Sequence, residues 1–208
     1  MLQRVGFPVA GLEIEGVLHL PDGETVGGAA VLHGHGGTSE QSTFICAALA
    51  AAGVAALRFT FRDVDDPSVG LADTAAAVRL LRAHPSIPQR VGVVGYSYGG
   101  IVAALTAGRD SRIKAAALIA TPGDWPLFGT WKPIAELSRT RAKVLIVRAG
   151  DDESVSTREA DRYAAVLTQA RVAHRVVTIE RADHGFGRPG TSAQMLAAVT
   201  GWMKEGLA

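Results

Sequence analysis

Apolar residues fall along this chain in two alternating patterns, short stretches of strand type and longer stretches of helical period. The opening reads as a hairpin. Residues 13–20 alternate, with Ile14, Leu18 and Leu20 on one face and Glu13, Glu15 and His19 on the other, and Pro21, Asp22 and Gly23 make a turn. A half-solvated alternating strand suits the antiparallel edge of a sheet. Residues 29–33 form a short apolar strand that runs into the glycine-rich loop 34–37. Thr38 and Gln41 stand at capping-box spacing, which predicts a helix over about 39–52, ended by Gly53.

The alternation then repeats. Residues 54–61 read as a strand and 71–83 as a helix stopped by His84-Pro85. Residues 90–96 are a strand and 99–107 a helix with Gly108 beyond it. Continuous apolar runs at 115–121 and 143–149 are of buried-strand type, and the segment between them has Pro, Gly and Trp without a long helical period. A helix over about 157–169 opens with Ser156 and Glu159 at capping-box spacing. A strand at 174–180 and a helix over about 192–205 close the series. Strands apolar on both faces, alternating with helices, predict an α/β protein with a mostly parallel sheet covered on both sides. Neither an internal repeat nor a linker interrupts residues 1–208, so one domain is expected.

Composition narrows the function classes. Of the 208 residues, 48% are hydrophobic and 20% charged, which is globular composition. The formal net charge of +1 provides no field for holding a nucleic-acid backbone or an anionic membrane. The single cysteine, Cys46, excludes an intramolecular disulfide and a cysteine-based zinc cage, and its neighbours Phe44, Ile45 and Leu49 suggest core packing. The first residues lack the apolar core of a signal peptide, and no run is long enough to span a bilayer, so a cytoplasmic location is expected.

Three loops at strand ends carry candidate chemistry. Gly95-Tyr96-Ser97-Tyr98-Gly99 is a G-x-S-x-G between a predicted strand and a predicted helix, the context of a nucleophile elbow. An ordinary glycine-rich turn with a capping serine is the alternative. A serine hydroxyl needs a base oriented by a carboxylate. Asp183-His184-Gly185-Phe186 follows the last predicted strand, and His184 comes last in the order serine, acid, histidine that this motif requires. The other histidines suit the task less well: His19 sits on the exposed hairpin face, His84 ends a helix and His174 begins a strand. Asp151, Asp152 and Glu153 follow the strand 143–149, and spacing alone does not choose among them. In the loop 33–37 neither a dinucleotide fingerprint nor a Walker motif is complete, and His33 and His35 have no third metal ligand at a recognisable spacing.

With these motifs the chain resembles the α/β-hydrolase superfamily, in particular its small, dienelactone-hydrolase-like serine esterase group, over essentially its whole length. The resemblance implies a single-domain α/β-hydrolase fold with a minimal lid. It places the acid by an Asp followed three residues later by Val, which falls on Asp152 and Val155. Ala149 stands where the family usually has a glycine, with Gly150 one place late, which keeps Asp151 and Glu153 as alternatives. Dienelactone hydrolases themselves use cysteine where this chain has Ser97, so lactone specificity does not carry over. The oxyanion donors implied are the amides of His35 and Tyr98. Trp125, Phe128 and Trp131 stand where the family inserts its lid, as an acyl-binding wall or as rim packing. Asp63, Asp65 and Asp66 read as a solvated loop and Asp73 as the start of a helix. The expected activity is hydrolysis of a small-molecule carboxylic ester through an acyl-enzyme, with no metal or organic cofactor. An acyltransferase or thioesterase using the same residues, or a non-catalytic binding protein on the same fold, are the rivals.

Overall fold

Successive side chains of a strand point to opposite faces, and in the central strands of this protein both sets are apolar. The structure, a computed structural model, describes residues 1–123 and 129–208. Its strands are β1 (Leu2–Val9), β2 (Leu12–His19), β3 (Gly27–Leu32), β4 (Val54–Phe59), β5 (Val91–Tyr96), β6 (Ile113–Ile119), β7 (Lys143–Ala149) and β8 (His174–Ile179). The helices among the described residues are α1 (Thr43–Ala51), α2 (Pro67–Ala83), α3 (Tyr98–Arg109), α4 (Pro133–Leu137), α5 (Arg158–Gln169) and α6 (Thr191–Leu207). The strands form one sheet in the order β1-β2-β4-β3-β5-β6-β7-β8, antiparallel across β1-β2 and β2-β4 and parallel from there on.

Strand parity sorts the core. Ala30, Leu32, Val93, Ala116, Leu118 and Ile146 pack with α2, α3 and α5 on one face. Their neighbours Ala29, Val31, Val94, Ala117, Ile119 and Val147 pack with α1 and α6 on the other. This is an α/β sheet covered on both sides, as the apolar runs predict.

Four local expectations are corrected. The hairpin is made by β1 and β2 around Ala10 and Gly11, both at positive φ, so the partner of β2 precedes it and Pro21–Gly23 leads away from the hairpin. Thr38 and Gln41 do not form a capping box: a 3₁₀ turn occupies Ser39–Ser42, without a side-chain cap from Thr38, and α1 starts at Thr43. Ser156 and Glu159 form no box either, because the Glu159 carboxylate turns to the Gly123 amide (3.0 Å) and to Arg162. Helix α2 begins one turn earlier than its periodicity suggests, with Pro67 in its first turn and the Asp66 carboxylate accepting the Ser68 amide at 2.8 Å.

That earlier start places Asp73 inside α2 and away from its first turn. It is fully buried and takes the Arg62 amide (3.0 Å) and the Arg62 guanidinium (2.7 Å), which ties the end of β4 to α2. His19 is likewise buried and not on an exposed face. The neighbouring strand β4 brings Arg58 beside it, and the Arg58 Nε donates to His19 Nε2 at 3.2 Å. Burial, followed by the guanidinium charge, holds the His19 pKa below its usual value.

Candidate active site

The parallel strands end along one edge of the sheet, where ligand sites of open α/β proteins lie. The end of β5 turns into α3 through Ser97, whose φ of 51° and ψ of −115° are costly for a residue with a side chain. Close backbone packing holds it there. A methyl group on Gly95 would lie 2.1 Å from the Gly99 carbonyl oxygen, and one on Gly99 would lie 2.3 Å from that of Leu32. The Ser97 amide donates to the Ile119 carbonyl of β6 at 2.8 Å, and the Ser97 carbonyl accepts from Gly100 at 2.9 Å. The elbow geometry expected of G-x-S-x-G is present.

His184 reaches this hydroxyl from the loop after β8, with Nε2 3.1 Å from Ser97 Oγ. Its Nδ1 lies 2.8 Å from Asp152 Oδ2 in the loop after β7. The other oxygen of Asp152, Oδ1, accepts the amides of Ser154 (2.9 Å) and Val155 (2.8 Å). A carboxylate on Nδ1 requires the proton there, so Nε2 of the neutral ring is the acceptor that faces the serine. Burial separates the acidic neighbours: the Asp152 side chain is 3% exposed, whereas Asp151 is 52% exposed and pairs with Arg188. Glu153 points into solvent. Of the three carboxylates, the structure brings Asp152 to His184.

The His184 loop is anchored by its own turn. The Asp183 carboxylate accepts the Gly187 amide at 2.7 Å, and the Phe186 amide donates to the Asp183 carbonyl at 3.0 Å. Phe186 adopts a φ of 54° and buries its ring. Tyr96, the residue before Ser97, lies with its ring centroid 5.3 Å from that of His184.

The loop after β3 passes on the other side of the serine. A methyl group on Gly34 would lie 3.6 Å from Ser97 Cβ, which brings the next residue, His35, to the rim of the site. His33 is buried and fixes this loop: its Nε2 accepts the Phe61 amide at 3.0 Å, so its Nδ1 carries the proton and donates to the Gly34 carbonyl at 2.8 Å. Burial lowers its pKa, and the ring is neutral. The His35 Nε2 meets Asp65 at 3.1 Å, so the acidic loop after β4 is in part a tether for the glycine-rich one. Tyr98 opens α3 with its ring buried against Phe61, and desolvation pushes its hydroxyl pKa well up.

Of the aromatic trio, only Trp131 belongs to the described residues. Trp125 and Phe128 lie outside the described residues. Trp131 packs on the core, with the Arg109 guanidinium 4.4 Å above its ring. Arg109 ends α3 and Ser97 precedes its start, about 18 Å away along the helix axis. Trp131 thus lies with the core packing near the far end of α3. Side chains that the sequence reading left out lie beside His184, namely Tyr96, with its ring against the imidazole, and Phe186, two residues on; both flank motif residues, which was a usable signal. No group of three or more His, Cys, Asp or Glu among the described residues could hold a metal ion.

A family model described as the dienelactone hydrolase family matches residues 54–205, nearly three quarters of the chain. The chain belongs to that family. It is accordingly a hydrolase of the α/β type. Solved structures agree on the fold. A dienelactone hydrolase from Anabaena variabilis superimposes with a TM-score of 0.85 at 22% identity, over 100% of this chain and 99% of that one. The esterase domain of a Rhodothermus marinus protein gives 0.79 at 23% identity over 100% of both chains. Est1E from Butyrivibrio proteoclasticus gives 0.83 at 19% identity over 98% of each. No curated protein matches the sequence significantly. No helix among the described residues is long and apolar enough to cross a membrane.

Proposed function

We propose that this family member is a serine hydrolase of small-molecule carboxylic esters, with Ser97 as nucleophile, His184 as base and Asp152 as the acid that orients it. The observation that carries the reading is the continuous line Ser97 Oγ to His184 Nε2 (3.1 Å) and His184 Nδ1 to Asp152 Oδ2 (2.8 Å), assembled from three separate loops. A solvated acidic turn or a capping serine has no need of such an alignment.

The chemistry follows from the proton positions. Ser97 Oγ attacks the ester carbonyl carbon while its proton passes to His184 Nε2, and the imidazolium is stabilised by the buried Asp152 carboxylate. Negative charge gathers on the former carbonyl oxygen, which the amides of Tyr98, at the start of α3, and of His35 would receive. As the carbon–oxygen bond to the alcohol breaks, His184 returns the proton to the leaving oxygen. Water then attacks the acyl-enzyme, giving its proton to His184, and Ser97 leaves with that proton. One fold neighbour, Est1E, has been solved with ferulic acid bound, a small aromatic acid.

The experiment pairs a fluorophosphonate label with turnover of a p-nitrophenyl ester panel of increasing acyl length. The label should map to Ser97 by peptide mass, and Ser97→Ala should lose both the label and about six powers of ten in kcat. Labelling that persists in Ser97→Ala overturns the assignment.

A further inference from the structure

We infer that the ester's alcohol portion, and not its acyl portion, is selected by an apolar pocket of about 410 Å³ between α1, α6 and the His184 loop, so that the enzyme favours esters of bulky, uncharged, apolar alcohols. The inference rests on the reading of Ser97 and His184 as nucleophile and base.

The direction comes from the site itself. With the carbonyl carbon at Ser97 Oγ and its oxygen toward the start of α3, the leaving oxygen must lie at His184 Nε2 to receive a proton. The pocket lies beside the His184 loop: Tyr96, whose ring is tilted against the imidazole with centroids 5.3 Å apart, and Gly185 and Phe186, which follow His184, form its inner wall. Its floor and outer wall are Ile45 and Phe44 of α1 and Met195 of α6. The volume is within the range of small-molecule sites and exceeds what a methyl or ethyl group fills.

Two features beyond volume point to an apolar occupant. Phe44 is 46% exposed, and the other large hydrophobic side chains that exposed among the described residues, Met1, Leu2 and Leu12, belong to the N-terminus and its hairpin. A phenyl ring left in water at the mouth of an apolar pocket gains from a ligand that covers it. Phe186 keeps a left-handed backbone with its ring buried, a conformation that bulky residues adopt only where the surroundings fix it. The charge at the pocket is neutralised. His33 is held neutral with both ring nitrogens engaged, and the Glu40 carboxylate is paired with Arg58. An anionic alcohol would find no Lys or Arg in the wall.

The test uses alcohols of matched acidity, so that leaving-group chemistry is constant. The ratio of kcat/KM for 3-phenylpropyl acetate over propyl acetate should be about tenfold or more in the parent enzyme, the discrimination a buried ring gives. Phe44→Ala, at an exposed position, should cut this ratio several-fold. Met195→Trp, which fills the pocket, should abolish it. Neither variant should alter the ratio for propyl 4-phenylbutanoate over propyl butanoate, in which the acyl group carries the ring. An alcohol ratio near one in the parent, an alcohol ratio unmoved in Phe44→Ala, or a change confined to the acyl pair each overturns the pocket assignment. Labelling by a small dialkyl fluorophosphate, whose leaving group is fluoride, separates the two readings. Labelled, active enzyme with no alcohol preference loses the pocket alone. Enzyme that neither reacts at Ser97 nor turns over any ester loses the hydrolytic reading along with it.

Discussion

Ser97 is held from beneath by main chain against main chain, whereas Asp152 and His184 hang from two loops and are held by side-chain hydrogen bonds. Under the serine, the N-terminus of α3 touches the carbonyls of Leu32 and His33, and the Ser97 amide is bonded to β6, so the elbow is part of the sheet's own packing. At the other two residues, a carboxylate gathers two amides and one imidazole nitrogen, and a turn closed by Asp183 aims the ring. The contrast teaches that the position of Ser97 is inseparable from folding, while the alignment of His184 with Asp152 is a separable matter of hydrogen bonding.

Breaking the hydrogen-bonded arm should therefore cost rate and spare the fold. In Asp152→Asn the amides of Ser154 and Val155 select the amide oxygen, which turns the NH₂ toward His184 Nδ1. The proton is then forced onto Nε2, which can no longer accept one from Ser97. The expected loss is about 10⁴-fold in kcat with an unchanged melting temperature. Steady-state kinetics beside a thermal melt checks this, and collapse in Asp151→Asn or Glu153→Gln instead would move the acid.

Breaking the close-packed elbow should do the reverse. Gly99→Ala drives a methyl into the Leu32 carbonyl, a backbone atom that cannot turn aside, and should lower stability by more than about 3 kcal/mol. Gly201→Ala, in α6 with open space around it, should raise stability by about 0.5–1 kcal/mol. Urea unfolding of the pair gives the difference directly, and equal behaviour of the two would show that the elbow is not built on this contact.

The smallest effect sharpens the comparison from outside it. Cys46 lies fully buried on α1, and burial pushes its thiol pKa up to about 12, so no thiolate exists at neutral pH. Cys46→Ser should keep turnover within about twofold while losing about 1–3 kcal/mol to the buried hydroxyl. A large fall in kcat of the folded variant would give the thiol a role.

What could be read in the sequence was local. The buried strands announced themselves by apolar runs, the elbow by two glycines at fixed spacing, and His184 by chain order. Spacing alone left Asp151, Asp152 and Glu153 open, and the resemblance to the family's Asp-x-x-Val pattern favoured Asp152; the Val155 amide is one of the two that hold its Oδ1. What was hidden depended on distant partners. Strand β1 contains Gly6 and Pro8 and shows no plain alternation; it becomes a strand because β2 pairs with it along its length. The burial of His19 depends on Arg58, which lies 39 positions further on. The start of α2 was concealed by Pro67, a residue that ends helices in most contexts and opens one here because Asp66 caps it. The pocket beside the His184 loop draws on α1, α6 and two loops, and no contiguous motif could announce it.

The sheet closes on neither side, so β1 and β8 each turn a row of backbone groups outward, as does any open sheet. Such a border is an invitation to fibre-like growth, because a second molecule can extend the ladder strand upon strand. On β1 the invitation is withdrawn by residues with no part in hydrolysis: Pro8 has no amide proton to offer, and Arg4 sets a charge where an incoming strand would have to lie. The least conspicuous strand of the fold thus carries, on the edge it turns outward, residues that oppose the addition of another strand.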